Sequence, residues 1–281
     1  MRLALLTLIV LIAFAGNSVL ARMALSHGDI GPWGFSLLRF LSGAIVLAFL
    51  SRPKLSWSTG RWAGAFALCG YGVFFSYAYL ELATGTGALL LFASVQLTML
   101  MIAFSRGERL SVQQSLGLAL AILGLIYLLA PGVEAPSMIG AGLMILSGIG
   151  WGLYSILGKS AGQALARTAG NFARAAIILG ALTPFVFWQF PEGSANSKGL
   201  LLAILSGTLT SALGYALWYS VLKDLTVTTA SISQLSVPVI AAVGGALFVF
   251  EPVTLPFAIS CTAVLLGVGL ATIKPSSRSS D

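Results

Sequence analysis

Arg39 stands about seven residues inside an apolar run over 33–50. A cation so placed must find water, a counter-charge or an anionic ligand. Three chemistries are open to it: binding a carboxylate, pairing with Glu81, or snorkelling to the nearest interface. Arg22, Lys159 and Arg174 lie at comparable but less extreme places, and snorkelling is the expectation for them. Around these cations the apolar runs carry polar groups without charge: Asn17 and Ser18, then Ser94, Gln96 and Thr98, then Ser231, Ser233 and Gln234. Such groups either hold helices together or orient a polar ligand.

Aromatic residues supply the second kind of chemistry. Tyr71, Phe75, Ala78 and Tyr79 recur at intervals of three and four, so they share one helical face. Ser147, Trp151, Tyr154 and Ser155 form a second stripe, and Thr208, Ser211, Tyr215, Trp218 and Tyr219 a third. A stripe of this kind packs against neighbouring helices, anchors at an interface, or stacks on a flat or apolar ligand while hydroxyls orient its polar end.

Other chemistries are missing. No Asp or Glu stands in the middle of an apolar run, and the single histidine, His27, falls in a break between runs. A proton-coupled carrier usually has a titratable group along its path, so facilitated diffusion or exchange is the expectation, with Glu81 as the one acid at a membrane edge. The sequence contains no phosphate-binding loop, dinucleotide fingerprint, paired metal-binding histidines or set of hydrolytic carboxylates. No catalytic residue, metal site or cofactor is therefore expected. Cys69 and Cys261 lie in apolar runs and read as small core residues, not as a disulfide.

The elements that must position these groups follow from composition. Of 281 residues, 58% are hydrophobic and 8% charged, against roughly a quarter charged in soluble domains. Crossing a hydrocarbon core of about 30 Å takes about 20 apolar residues of helix. Apolar runs near 3–24, 33–50, 62–81, 86–104, 112–130, 138–158, 170–190, 199–221, 229–250 and 255–273 predict an all-α integral membrane protein of ten transmembrane helices. A cleaved secretory signal ending at Ala13-Phe14-Ala15 is the alternative for the first run, which continues past that point to Ala21.

The net charge of +7 is spread singly or in pairs between the runs, which excludes a nucleic-acid surface. Assigning loops alternately to two sides puts Arg2, Arg52, Lys54, Arg61, Arg106, Arg109, Lys159, Arg167, Lys223, Lys274 and Arg278 on one side. Lys198 stands alone among the cations of the other. The positive-inside rule then makes both termini cytoplasmic.

The two halves resemble each other. Gly107-Glu108-Arg109-Leu110-Ser111 closes the fourth run as Phe250-Glu251-Pro252-Val253-Thr254 closes the ninth, about 143 positions later. Leu20-Ala21-Arg22 pairs with Leu157-Gly158-Lys159, and Arg39 with Arg174. Because five spans is an odd number, the second copy must enter the membrane from the opposite side. Inverted repeats of this kind are common in transporters, with the ligand site where the repeats meet near the midplane.

These features resemble the drug/metabolite transporter superfamily, specifically its ten-helix EamA-type members, across nearly the whole chain. The resemblance implies repeats over 1–132 and 133–276, a short polar tail over 277–281, and a multi-pass location in a bacterial inner membrane. It also implies export or exchange of amino acids, metabolites or drugs. The cavity would be lined by helices one to four and six to nine, with five and ten to the side. The aromatic third and eighth runs make the chain similar to YddG-type amino-acid exporters. Many members place a proline where this chain has Gln96, equivalent to Pro238 in the ninth run. The candidate ligand contacts are Asn17, Arg39, Tyr71, Phe75, Tyr79, Gln96, Trp151, Tyr154, Ser211, Tyr215, Trp218 and Gln234. Pro238, which frees a backbone carbonyl and kinks its helix, is the candidate gate. The expected partners are a small-molecule substrate and the lipid bilayer, and a homodimer is compatible with the sequence. A passive channel or structural membrane subunit and an intramembrane enzyme are the rival readings; the enzyme would need a nucleophile with a base, or a metal site, within the spans, and neither is visible.

Overall fold

A helix satisfies its own backbone hydrogen bonds, the condition for crossing lipid. In a computed structural model of the chain, residues 2–51, 59–105, 107, 111–130, 135–158, 164–225, 230 and 233–272 are described. The described residues are mostly helical, joined by turns and short irregular connections, and contain no strand. In chain order the helices are α1 (Arg2–Leu25), α2 (Pro32–Leu50), α3 (Trp62–Ala78), α4 (Thr84–Ser105), α5 (Val112–Leu129), α6 (Met138–Gly158), α7 (Ala164–Gln189), α8 (Ser197–Val221), α9 (Val237–Phe248) and α10 (Leu255–Thr272). Seven of them, α1, α2 and α4 to α8, are long and apolar enough to cross a membrane; α3, α9 and α10 are shorter apolar helices. Leu5, Ile45, Phe66, Leu116, Ile126 and Leu266 are more than half exposed and lie on five different helices. A surface that apolar belongs against hydrocarbon.

Several of the cations counted above, Arg52, Lys54, Arg106, Arg109, Lys159, Lys274 and Arg278, lie outside the described residues, as do Ser231 and the polar tail.

α5 and α10 pack on each other more extensively than any other pair. The contact is made through glycine: a Cβ at Gly117 would lie 2.5 Å from the Gly267 carbonyl oxygen, and one at Gly267 would lie 2.5 Å from the Gly117 carbonyl oxygen. Small residues let backbones approach this closely where lipid supplies no hydrophobic drive. The remaining helices interlock. α1 packs on α8 and α9, while α6 packs on α3 and α4; α2 meets α7, and α4 meets α9.

At the end of the bundle where α1 stops and α2 begins, polar groups tie the connections. Glu192, after α7, accepts from the Trp33 and Gly34 amides at 2.7 and 3.1 Å. Its charge thus sits at the positive end of α2. Asp29 accepts from Asn196 Nδ2 at 2.7 Å and pairs with Lys198 at 2.7 Å. The hydrogen bonds from Lys198 and then Asn196 hold the Asp29 carboxyl below its ordinary value of 3.8. A depressed carboxyl stabilises the fold above its unfolded value, and that contribution disappears as pH falls through the folded one. Thermal unfolding in detergent should therefore show a loss of stability below about pH 3.8 that is smaller in Asp29→Asn.

Two departures from the sequence pattern matter for the site. Residues 206–213 of α8 form a π-helical stretch, with a wider turn than the pattern assumed. In the ninth run, turn residues Leu235 and Ser236 interrupt the helix, and Pro238 stands in the first turn of α9. Pro238 therefore restarts a helix, at the position where a missing N–H costs nothing, instead of kinking a continuous one.

Candidate functional site

The helices converge on a small internal cavity lined by Phe14, Asn17 and Ser18 of α1, Arg39 of α2, Tyr71 and Phe75 of α3, Leu91 and Phe92 of α4, Trp151 of α6, and Thr210, Ser211 and Tyr215 of α8. Its volume is about 20 Å³, room for about one water molecule. Any organic ligand would require the walls to separate.

Arg39 is the dominant charge. It is 2% exposed, so it does not snorkel. Glu81 does not reach it either; that carboxylate accepts from the Ser137 hydroxyl instead. Nε of Arg39 donates to Ser211 Oγ at 3.1 Å and Nη2 to the Tyr71 hydroxyl at 2.7 Å. The guanidinium carbon lies 4.9 Å from the Tyr71 ring centre, 5.1 Å from Phe75 and 5.7 Å from Phe40. These aromatic faces partly offset the lost hydration. Nη1 has no hydrogen-bond partner among the described residues. Burying a charged donor unfilled is costly, and an anionic acceptor is the chemistry that would satisfy this nitrogen.

Asn17 organises the opposite wall. Its Oδ1 accepts from Ser206 Oγ at 2.7 Å and Thr210 Oγ1 at 3.3 Å, while Nδ2 reaches the Tyr71 hydroxyl at 3.4 Å. The π-helical stretch is what makes this possible. An α-helical period puts Thr208 on the face with Ser211 and Tyr215, but the Thr208 hydroxyl bonds back to the Ile204 carbonyl, and Ser206 and Thr210 turn inward. Gly207 sets the approach of this segment to α2, because a Cβ there would overlap Ser42 Oγ and the Arg39 carbonyl oxygen.

Trp151 forms the apolar floor, with ring centres 5.4 Å from Tyr71, 5.3 Å from Phe92 and 6.2 Å from Phe14. Of the twelve candidate contacts, Asn17, Arg39, Tyr71, Phe75, Trp151, Ser211 and Tyr215 meet around one cavity. The other five stand outside its lining. Tyr79 packs edge-on against Phe75 and donates to the Thr84 carbonyl. Trp218 meets Phe14. Tyr154 donates to Thr168, which also bonds Tyr219. Gln96 is buried one turn beyond Phe92, and Gln234 is half-buried just before α9. Phe14, Leu91, Phe92 and Thr210 were not foreseen as contacts. Phe14 was accessible in principle, because Phe14, Asn17 and Ser18 share the three- and four-residue spacing of a helical face.

Of the three further cations expected to snorkel, Lys159 lies outside the described residues, and the other two are also anchored inward. Arg174 is 4% exposed, donates to the Gly170 carbonyl and lies over the Trp62 ring. Arg22 pairs with Glu251 at 2.8 Å and donates to the Tyr79 and Leu80 carbonyls, each at 3.0 Å. Glu251 also accepts from the Thr84 amide at 2.7 Å, at the amino end of α4. One ion pair thus joins the end of α1, the α3–α4 connection and the α9–α10 turn. Its side chains are 18% and 13% exposed, so Glu251→Gln should cost about 2 kcal/mol, between the surface and buried limits. The check is a lowered unfolding midpoint in detergent, with a double mutant carrying Arg22→Ala that falls short of the summed single losses.

The profile of the EamA-like transporter family matches residues 1–130 and 138–273. The chain is 48% identical over 269 residues to an uncharacterized protein of Pseudomonas aeruginosa, covering 95% of this chain and 93% of that one. It is 27% identical over 274 residues to a protein of Escherichia coli (strain K12) named "probable amino-acid metabolite efflux pump", covering 89% and 87%. A solved crystal structure matches with a TM-score of 0.63 at 23% identity, over 95% of this chain and 97% of that one, which shows a shared fold.

Proposed function

The chain belongs to the EamA-like transporter family, multi-pass membrane proteins that move small molecules and are not enzymes, and from that premise we propose that it exports or exchanges amino acids or similarly sized amino-acid metabolites by alternating access. The single observation that carries this reading is the buried guanidinium of Arg39, with Nη1 unpartnered, beside an aromatic floor in a central cavity. A carboxylate would fill that donor, and the rings would take the apolar body of the same molecule. The E. coli relative's name points the same way for that protein.

Ten spans in two inverted repeats suit this mechanism. Support comes from packing that repeats after five helices: α1 on α8 and α9 corresponds to α6 on α3 and α4, while α2–α7, α4–α9 and α5–α10 pair with themselves. The aligned turns agree too, since Gly107 and Phe250 both take positive φ, 87° and 58°. With both termini in the cytoplasm of a bacterial cell, the Arg22–Glu251 and Asp29–Lys198 pairs lie on the outer side. They would have to part for the cavity to open outward. A cavity of about 20 Å³ favours a carrier over an open channel.

The test is counterflow in proteoliposomes loaded with a broad panel of amino acids and carboxylic acids. Saturable exchange with at least one is the expected result. Flux that never saturates would indicate a channel, and no flux across the whole panel would remove the proposal.

A further inference from the structure

Arg39 is the one charged side chain among the described residues that line the cavity. Resting on the transporter reading above, we propose that the preferred substrates are net monoanions: amino-acid-derived carboxylic acids whose nitrogen is absent or uncharged, as in 2-oxo, 2-hydroxy or N-acylated acids, in preference to zwitterionic amino acids.

The first argument is charge balance. Acids occur in the whole sequence only at Asp29, Glu81, Glu108, Glu134, Glu192, Asp224, Glu251 and Asp281, none within the middle of an apolar run. The described ones are engaged or distant from the cavity. Asp29 pairs with Lys198, Glu81 accepts from Ser137, Glu192 caps α2, Glu251 holds Arg22, and Asp224 is exposed after α8. A monoanion brought to Arg39 leaves the closed site neutral. A zwitterion brings an ammonium as well and leaves a net buried positive charge, which a low-dielectric interior penalises.

The second argument is the supply of acceptors. An ammonium needs three. Asn17 Oδ1 accepts from Ser206 and lies 3.3 Å from Thr210 Oγ1, whose single proton is shared with the Ser206 carbonyl at 2.8 Å, the Tyr71 oxygen accepts from Arg39 and Asn17, and Ser211 Oγ accepts from Arg39. The ring faces of Tyr71 and Phe75 are already occupied by the Arg39 guanidinium, and a second cation held by the remaining rings of the lining would stand beside that charge with no acid to balance it. The arrangement offers one unfilled cationic donor and little that would receive a second cation.

The experiment uses the full chain in proteoliposomes and four probes of one skeleton: phenylpyruvate, N-acetylphenylalanine, phenylalanine and phenethylamine. The two anions should show saturable counterflow with an efficiency about tenfold or more above phenylalanine, the scale of one lost charge-assisted interaction, and phenethylamine should not move. In Arg39→Gln the ratio of anion to phenylalanine flux should collapse to about one. Phenylalanine moving as well as or better than both anions would overturn this inference and leave the transporter reading standing. No flux of any probe, together with none across the broad panel, would overturn both.

Discussion

Arg39→Gln should lower the transport efficiency for a carboxylate substrate about a hundredfold, because it removes charge-assisted bonds of roughly 1.5–3 kcal/mol each. The same variant should unfold no earlier than the parent. Arg39 is 2% exposed and faces no carboxylate among the described residues, so its removal relieves an uncompensated buried charge, as replacing buried ions by neutral groups often does. The two readouts moving in opposite directions separate a ligand-binding role from a structural one. Arg39→Lys should fall between, losing about tenfold: it retains the charge but not the planar fork that serves Tyr71, Ser211 and the unfilled Nη1 position together. Flux in proteoliposomes and unfolding midpoints in detergent check both halves of the expectation.

Gly207→Ala should destabilise the fold by about 3 kcal/mol, the upper range for forced overpacking. The added Cβ would collide with Ser42 Oγ and the Arg39 backbone carbonyl. A backbone atom cannot rotate away, so α8 must separate from α2. That movement would also displace Ser211 from Arg39 and Ser206 and Thr210 from Asn17, and transport should fall with stability. Gly142→Ala in α6 provides the contrast. Nothing lies within 4 Å of a Cβ there, and alanine in a helix is favoured over glycine by roughly 0.5–1 kcal/mol. Its midpoint should hold or rise. A Gly207→Ala protein as stable as Gly142→Ala would refute the close α2–α8 approach.

The membrane-embedded character of the chain and its helices were legible in composition and run length, since the need to satisfy backbone groups in lipid is a local requirement. Arg39 was legible for the same reason: a charge deep in an apolar run is anomalous wherever that run packs. The snorkelling expected of Arg22 and Arg174 failed because the partners are distant in sequence or supplied by backbone. Arg22 meets Glu251 at a separation of 229 residues, and Arg174 meets Gly170 and Trp62. The aromatic stripes showed which faces were special without showing which residues would meet. Tyr71, Trp151 and Tyr215 converge, while Tyr154 and Tyr79 from the same stripes bond elsewhere.

By itself, the sequence determined that the chain lives in lipid, that its acids stay out of the middle of the apolar runs, and that one arginine stands deep inside such a run. These properties depend on residue type and the length of a run, which neighbours along the chain are enough to define. Tertiary structure decided which polar groups share a cavity, and it did so through the π-helical turn at 206–213. That turn replaced Thr208 by Thr210 and brought Ser206 to Asn17, 189 residues away. A 3.6-residue period cannot announce such a change of register. It is held in place where α8 crosses α2 at Gly207, a contact that exists only after both helices have packed.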